Sequence, residues 1–296
     1  MYAIAIHGGA GVISKKDLTA TLEKQYLQGL QEALDAGFRI LENGGSALDA
    51  VEASVISLEN NELFNAGKGS AFTSDETHEL EASIMCGKRL DAGAACGLKN
   101  VKNPILLART VLEKSNHLFL NGLGAEKFAQ EHGLPLVADD YFYTEKEYKK
   151  LQESKSQPGK SKGTVGAVAI DTKGDLAAAT STGGLTNKKY GRIGDSPVVG
   201  AGTYAKNATC AVSCTGDGEY FIRCVAAYDV SALLEYKEYS LQQACEEVVM
   251  SKLTKLGGEG GLIAVDREGN IELVFNSEGM YRGNHQQGKD PEVFIY

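Results

Sequence analysis

The order of the predicted elements favours an α+β fold in which helices lie outside two layers of β-strands. Pairs of helices follow pairs of strands along the 296 residues, and this order is typical of sheets that are covered by helices. The 35 glycines, against 5 prolines, follow no G-X-Y repeat, so they indicate tight turns and close backbone approaches in a globular protein. A chain of this length can bury a sizeable core.

The N-terminal part of the chain predicts a strand, two helices, a strand pair and two further helices. The run YAIAI predicts a short buried strand that ends at the glycine-rich HGGAG. Apolar residues then recur every three or four positions over 22–41, which predicts a long helix closed by two glycines. Ser46 is placed to cap a second helix that ends near residue 58. ELEASIM and AGAACGL predict paired strands, and helices follow near 104–114 and 123–131.

The strand pattern restarts after a charged stretch at about 144–163, whose composition predicts a linker. TVGAVAID and DLAAATST predict a strand pair, and TCAVSC predicts another strand. A helix is predicted from about Glu219 to Tyr236. Ser240 with Gln243 resembles a capping box for one more helix, and GLIAVD and IELVF predict a final hairpin.

Charge, hydropathy and cysteine use argue against several classes of function. The formal net charge of −9 disfavours a nucleic-acid partner, because an acidic protein repels the phosphate backbone. No apolar run approaches membrane-spanning length, and the N-terminus lacks the basic flank of a signal peptide. The six cysteines form no CxxC pair and no zinc spacing, and we interpret them as reduced thiols of a cytoplasmic protein.

The junction Gly163-Thr164 joins the predicted linker to an apolar strand. A threonine at such a position is usually only a β-former. Its hydroxyl becomes a nucleophile when a base takes the proton, and a chain-terminal threonine carries such a base in its α-amine, whose usual pKa is about 7.7–8.0. Gly163 has no Cβ and leaves its carbonyl open to attack by the Thr164 hydroxyl. The residues alone therefore allow both a loop-to-strand boundary and a self-cleavage point.

Seven motifs follow one another through nearly the whole chain. They are IAIHGGAG at 4–11, FNAGKGSAFT at 64–73, HELEASIM at 78–85, GTVGAVA at 163–169, ATSTGGLTNKKYGRIGDSPVVGAGTYA at 179–205, SCTGDGE at 213–219 and GGEGGLIAVD at 257–266. In these motifs the chain resembles the plant-type (bacterial type III) asparaginases, also called isoaspartyl peptidases, of the N-terminal-nucleophile (Ntn) hydrolase superfamily. The linker resembles theirs only in character.

The resemblance implies a four-layer αββα sandwich, with two mostly antiparallel sheets between layers of helices. It implies cleavage into an α-subunit of residues 1–163 and a β-subunit of residues 164–296, which begins with the nucleophile. The two subunits are expected to remain one folded unit, and two such units are expected to form a dimer. The implied activity is hydrolysis of L-asparagine and β-aspartyl dipeptides.

The resemblance also assigns catalytic roles to five residues. Thr164 is the expected nucleophile in both autocleavage and catalysis, forming a β-aspartyl ester with the substrate. Thr182 is expected to tune its hydroxyl and amine, and Asn65 to support it. Thr215 and Gly216 are expected to contact the substrate and form the oxyanion hole. Without the other motifs, TGDG would be read as a plain turn.

Arg192 and Asp195 are the expected ligands of the amino-acid head group of the substrate. A planar guanidinium can bind an α-carboxylate through two hydrogen bonds, and the aspartate can hold the α-ammonium with help from the Gly218 carbonyl. By spacing alone the two charges would form an ordinary solvent-facing ion pair. Once the head group is bound, the bond that breaks must belong to the aspartyl side chain.

Residues 58–68, LENNELFNAGK, resemble the sodium loop of the family. A hard cation suits backbone carbonyl oxygens on an irregular loop. The implied ligands are the carbonyl oxygens of Leu58, Glu59, Asn61, Phe64, Ala66 and Lys68. The bound Na⁺ is expected to stiffen the loop that presents Asn65, and no organic cofactor is expected.

Two alternatives differ from the isoaspartyl peptidase interpretation. A glycosylasparaginase-like amidase uses the same nucleophile chemistry, but that branch typically has Asp before the threonine and a sugar pocket that uses Trp. This chain has Gly163 and no Trp. The other alternative is a non-enzymatic, glycine-rich protein that binds amino acids, in which 144–163 is an ordinary loop.

Overall fold

The computed structural model describes residues 1–11, 18–156 and 163–296, which form two β-sheets and the helices that cover them. The strands are β1 Ala3–Gly11, β2 Leu80–Cys86, β3 Asp91–Leu98, β4 Phe119–Asn121, β5 Val165–Ile170, β6 Leu176–Thr182, β7 Thr203–Ala205, β8 Cys210–Gly216, β9 Gly260–Asp266, β10 Ile271–Phe275, β11 Gly279–Gln286 and β12 Glu292–Phe294. The helices are α1 Ala20–Glu42, α2 Ala47–Glu59, α3 Pro104–Lys114, α4 Gly122–Glu131, α5 Glu145–Ser156, α6 Gly218–Cys224, α7 Ala226–Lys237 and α8 Leu241–Glu246. Short 3₁₀ turns lie at Gly67–Gly69 and Asp139–Phe142, and a π-helical segment, Glu247–Leu253, continues α8.

The larger sheet has eight strands in the order β12-β11-β1-β5-β6-β2-β3-β4, and the smaller sheet has four in the order β10-β9-β8-β7. Neighbouring strands run antiparallel, except that β4 runs parallel to β3 among the described strands. Helices α1, α2 and α3 pack on the outer face of the larger sheet, and α7, α8 and the π-helical segment pack on the smaller one. The predicted αββα architecture is therefore confirmed.

Strand β5 shows why the inner strands of the sequence read as continuous apolar runs. Successive side chains of a strand point to opposite faces of the sheet. Val165, Ala167 and Ala169 lie in the core beneath α1 and α2. Val168 and Ile170 lie in the core between the two sheets. Both faces of the strand are buried, so apolar residues are needed at every position.

The predicted first and second helices are confirmed, and capping side chains define where they begin. The hydroxyl of Thr19 accepts from the backbone N–H of Leu22 at the start of α1, with N···O 3.2 Å. Ser46 accepts from the backbone N–H of Asp49 at the start of α2, also at 3.2 Å. Each hydroxyl satisfies a backbone donor that has no partner inside its helix.

The linker predicted over 144–163 is wrong for its first part, because Glu145–Ser156 form α5. Leu151 is fully buried, whereas most of the charged side chains of α5 face solvent. The ammonium group of Lys146 donates to the hydroxyl of Tyr26 and to the carbonyl of Leu63, each at 2.8 Å. The charged residues that predicted a linker therefore belong mainly to the solvent-facing side of a helix that packs on the protein. Residues 157–162, which complete the predicted linker, lie outside the described residues.

The single helix predicted from Glu219 to Tyr236 is two helices. Val225 adopts φ 51°, ψ 47° between α6 and α7, and this left-handed conformation ends one helix before the next begins. A left-handed conformation is rare for a β-branched residue such as valine, and helix breaks of this kind usually occur at glycine. The sequence at this position therefore gave no signal for the break. The short strands β4, β7 and β12 and the glycine-containing strand β11 are also absent from the predicted elements.

No helix within residues 1–11, 18–156 and 163–296 is long and apolar enough to span a lipid bilayer.

Replacing Gly37 by Ala should destabilise the fold, although alanine is the better helix former. A Cβ at Gly37 would contact the side chains of Ser54 and Ile4 and would lie 2.8 Å from the carbonyl oxygen of Ala50, so α1 would have to move away from α2. Overpacking of this kind costs about 1–3 kcal/mol. Thermal unfolding should show a lower Tm than that of the unsubstituted chain.

Gly124→Ala is the matched control, because a Cβ at this exposed position of α4 meets no atom within 4 Å. The control should raise the free energy of unfolding by about 0.5–1 kcal/mol, as alanine does in an open helix position. Equal effects of the two substitutions would contradict the proposed tight crossing of α1 and α2.

Candidate active site

Thr164 lies directly before β5, in the centre of the larger sheet. The β5–β6 ladder pairs Val165 with Ser181, so the next position places Thr164 opposite Thr182. The hydroxyl of Thr164 donates to that of Thr182 at 3.3 Å, and the two residues are only 5% and 2% exposed. The two threonines are therefore brought together by strand register, as their predicted roles require.

The carbonyl oxygen of Gly163 accepts two hydrogen bonds. The Thr182 hydroxyl donates to it at 3.1 Å, and the Nδ2 group of Asn65 donates at 2.9 Å. Asn65 is itself fixed, since Nδ2 also donates to the carbonyl of Gly184 at 2.7 Å and Oδ1 accepts from the N–H of Ala71 at 2.8 Å. Two oriented donors polarise this carbonyl and can stabilise negative charge that develops on its oxygen.

The hydroxyl of Thr182 joins these groups. It accepts from the Thr164 hydroxyl and from the N–H of Gly184 at 2.9 Å, and it donates its own proton to the Gly163 oxygen. A hydroxyl that accepts from one reacting group and donates to the other can relay a proton between them.

Thr215 and Gly216 come from the smaller sheet, at the end of β8. The hydroxyl of Thr215 is buried and accepts from the backbone N–H of Ala10 at 3.1 Å, which leaves its proton able to donate to a substrate oxygen. β1 can pass this close because Gly9 has φ +114°, and a Cβ there would lie 3.1 Å from the Cα of Gly163.

Arg192 and Asp195 lie on the loop between β6 and β7. The guanidinium group of Arg192 donates through Nε and Nη2 to the two carboxylate oxygens of Glu219, at 2.8 and 2.9 Å. Gly218 borders Arg192 and Asp195, which we call the clamp residues. A Cβ on Gly218 would lie 2.8 Å from Nη2 of Arg192 and from Oδ1 of Asp195. The three-residue spacing of Arg192 and Asp195 in the sequence did not predict that Arg192 pairs with Glu219.

Asp195 is buried, and its Oδ2 accepts no hydrogen bond from the described residues. Burial raises the pKa of Asp195 to about 7, and this effect outweighs the opposing influence of its own backbone N–H and of Arg192. A buried carboxylate oxygen without a donor is costly, so it is suited to receive a cationic group from a ligand.

One small cleft contains the larger part of the predicted site. Its lining includes Gly163, Thr164, Thr182, Arg192, Asp195 and Gly216, together with Gly184, Leu185, Gly194 and Ser196. Asn65 reaches the cleft through its contact with the Gly163 carbonyl, and Thr215 is next to Gly216 at the end of β8. Thr164, Arg192 and Asp195 thus face the same small space.

His7 is a residue of the site that the sequence did not predict. Its Nδ1 contacts the carbonyl oxygen of Thr164 and its Nε2 contacts the Ser213 hydroxyl, both at 2.9 Å. Burial lowers the pKa of His7 to about 3, so the ring is neutral, donates from Nδ1 and accepts at Nε2. Thr180, which pairs with Gly166 of β5, continues this buried network, with its hydroxyl 2.7 Å from that of Ser213.

The predicted sodium ligands lie on the loop that leads from the end of α2 past Asn65. The carbonyls of Leu58, Asn61, Phe64 and Ala66 each accept a backbone N–H, at 2.9 to 3.3 Å. Gly67 and Gly69 let the loop close on itself, because a Cβ on either residue would collide with the carbonyl of Glu59 or of Phe64. No cluster of His, Cys, Asp or Glu that could hold a metal occurs among the described residues.

Comparisons with known proteins agree with the motifs. A family model described as asparaginase matches residues 1–295. The isoaspartyl peptidase of Escherichia coli (strain K12) is 51% identical over 306 residues, covering 99% of this chain and 95% of the relative. That of Salmonella typhimurium is 52% identical, covering 99% and 98%. The isoaspartyl peptidase/L-asparaginase of Mus musculus is 41% identical, covering 97% and 88%. The chain therefore belongs to the asparaginase and isoaspartyl peptidase family of Ntn hydrolases.

Proposed function

We propose that the protein is an autoprocessing threonine amidohydrolase that cleaves β-aspartyl (isoaspartyl) dipeptides and L-asparagine. One observation carries the proposal: the hydroxyl of Thr164 and the carbonyl of Gly163 share hydrogen bonds with Thr182, in a cleft that also holds Arg192 and Asp195. The names of the relatives, isoaspartyl peptidase and isoaspartyl peptidase/L-asparaginase, support the same chemistry.

Autocleavage begins with attack of the Thr164 hydroxyl on the Gly163 carbonyl. The hydroxyl proton passes to Thr182, and the hydrogen bonds from Asn65 and Thr182 stabilise the oxyanion. The C–N bond then breaks, the nitrogen takes up the proton that Thr182 received, and an ester links Gly163 to the Thr164 oxygen. Water hydrolyses this ester, which leaves a carboxylate on Gly163 and a free α-amine on Thr164.

The mature site uses the new α-amine as its base. Thr164 Oγ1 attacks the β-carbonyl of the substrate while the amine takes its proton, as in other N-terminal threonine nucleophiles. The hydroxyl of Thr215 and the N–H of Gly216 stabilise the oxyanion, and ammonia or an amino acid leaves with a proton. Water then hydrolyses the β-aspartyl ester, releases aspartate and restores the nucleophile.

The clamp explains which part of the substrate the enzyme recognises. In this proposal the unpartnered oxygen of Asp195 receives the α-ammonium with help from the Gly218 carbonyl, and the N–H groups of Arg192 that Glu219 leaves open receive the α-carboxylate. Because both groups must be free, the substrate is an unblocked aspartyl residue whose β-carbonyl carries the leaving group. The same site can therefore accept L-asparagine and a β-aspartyl dipeptide.

We also propose that cleaved chains associate as a dimer of αβ units in the cytoplasm. The family resemblance supports the dimer, and the six cysteines support a reducing compartment, since all six are free thiols and five are buried. Light scattering of matured protein should give a mass of about twice the 31.5 kDa of one chain.

The loop of residues 58–68 is proposed to bind Na⁺ through the carbonyl oxygens of Leu58, Glu59, Asn61, Phe64, Ala66 and Lys68. The compact form of the loop supports this proposal, because Gly67 and Gly69 pack directly against the carbonyls of Glu59 and Phe64. A cation bound by these oxygens would stiffen the segment that presents Asn65.

A glycosylasparaginase and a non-enzymatic binder remain testable against this proposal. Incubation followed by a denaturing gel separates an autoprocessing hydrolase, which gives two bands, from a binder, which stays at full length. Turnover of a glycosylated asparagine without turnover of a β-aspartyl dipeptide would indicate the glycosylasparaginase.

Thr164→Ala should leave a full-length, inactive chain, because the attacking oxygen is removed. A denaturing gel and intact mass measure the cleavage, and release of aspartate from a β-aspartyl dipeptide measures the activity. Thr110→Ala is the control, because the Thr110 hydroxyl donates to the carbonyl of Leu106 within α3. This variant should mature normally. Cleavage of Thr164→Ala after Gly163 would contradict the intramolecular mechanism.

Binding of L-aspartate, the product, should weaken as the pH falls below about 7. Burial raises the pKa of Asp195 to about 7, so acidification protonates the carboxylate that must hold the α-ammonium. Below this pKa the ionised fraction of Asp195 falls about tenfold per pH unit, and the affinity should fall with it down to pH 5. Calorimetry measures the Kd, and Asp195→Asn should bind weakly at every pH. A constant Kd over this range would oppose the assignment.

Replacing Na⁺ by tetramethylammonium at equal ionic strength should lower the Tm, and returning Na⁺ should restore it. A ligand at about 100 times its Kd contributes about 2.7 kcal/mol, which corresponds to a shift on the order of 5 °C for a chain of this size. Gly69→Ala, whose methyl group would meet the carbonyl of Phe64, should lose this response. An unchanged Tm in the absence of Na⁺ would contradict the proposal of a Na⁺ site in this loop.

A further inference from the structure

We propose that Glu81 is a positioning residue for substrate recognition, which ties the loop of Arg192 and Asp195 to the sheet that carries the nucleophile. This inference rests on the proposed function. Glu81 lies on β2 directly opposite Thr182 of β6, and its side chain is 1% exposed. It belongs to the HELEASIM motif, to which the proposed mechanism gives no role.

The two carboxylate oxygens of Glu81 hold two points of one loop. Oε1 accepts from the ammonium group of Lys188 at 3.2 Å. Oε2 accepts from the backbone N–H of Gly194 at 3.0 Å. Gly194 lies between Arg192 and Asp195 in the sequence, so the second hydrogen bond acts directly on the turn that presents both clamp groups.

Lys188 is as buried as Glu81 and makes further hydrogen bonds. Its side chain is 1% exposed, and its ammonium group also donates to the carbonyl of Glu79 at 2.9 Å. Its own carbonyl accepts from the backbone N–H of Ser74 at 2.9 Å. The ion pair therefore joins the start of the loop that carries Arg192 and Asp195 to β2 and to the segment before β2.

Apolar packing does not anchor the central part of this loop. Tyr190 is fully exposed and Ile193 is 42% exposed, so neither side chain contributes to a core. Tyr190 has a positive φ of 59°, which is unfavourable for this bulky residue without outside support. Buried polar contacts must supply that support, and those of Glu81 reach the turn between the clamp residues.

The charge of Glu81 also acts on the clamp. Together with Glu219 it adds to the rise in the pKa of Asp195, while Lys188 balances its charge inside the protein. A buried ion pair contributes little net stability compared with apolar residues of the same volume, but it can fix one arrangement of the chain. Removing the whole pair should therefore disturb the position of the clamp more than the fold.

The test compares substrate binding with turnover in two variants. Glu81→Gln leaves the Lys188 ammonium without its counter-charge and can fail to fold, so Glu81→Leu/Lys188→Met removes both charges and the acceptor of Gly194. Glu126→Leu is the matched control, because Glu126 is a buried glutamate on α4 that accepts the N–H of Lys99 at 2.7 Å, away from the cleft.

The double variant should mature normally and keep kcat within about threefold, while KM for a β-aspartyl dipeptide and the Kd of L-aspartate rise at least about tenfold. The control should change KM and Kd by less than about twofold. Gel analysis, steady-state kinetics and calorimetry with L-aspartate provide the measurements.

A double variant with unchanged KM and Kd would overturn the inference, and so would a fall in kcat at constant KM. Failure of both variants to fold would also overturn it, because the pair would then serve the stability of the fold. An unsubstituted chain that neither matures nor binds L-aspartate would instead refute the proposed function. The two failures are therefore distinguishable.

Discussion

The antiparallel ladder between β5 and β6 is the interaction on which the candidate site depends. It sets the hydroxyl of Thr164 against that of Thr182 and turns the Gly163 carbonyl toward the side chain of Asn65. A slip of β5 by one residue would send the Thr164 side chain to the face of the sheet opposite that of Thr182. Pairing of β1 with β5 and of β2 with β6 holds the ladder from both sides, so the site occupies a central and well-determined part of the sheet.

Elements with a clear apolar period could be predicted from the sequence, since burial of one or both faces leaves a local pattern. The remaining elements lack such a pattern for physical reasons. Strands β4, β7 and β12 have three residues each, which is too few to show alternation. The buried residues of helix α5 are Leu151 and the charged Glu147, so its sequence shows no apolar period. The left-handed Val225 carries no glycine or proline signal. In each case tertiary contacts decide the local structure.

The chemistry of the candidate site was predictable only in part. Residue types and spacing allowed a threonine nucleophile at Gly163-Thr164, while family motifs were needed to single it out and to assign the clamp. Contacts between distant residues had no local signal: His7 meets Ser213 across 206 positions, and Arg192 meets Glu219 across 27. Such pairings depend on how the two sheets stack, which no single stretch of sequence contains.

The strand order of the larger sheet has a consequence for the proposed cleavage after Gly163. Strand β1, from residues 1–163, is inserted between β11 and β5 of residues 164–296, and β6 pairs with β2 of the first part. The two parts of the chain are thus interleaved within one hydrogen-bonded ladder. The proposed scission after Gly163 would free a chain end while leaving this ladder intact, and neither product would contain the complete eight-stranded sheet.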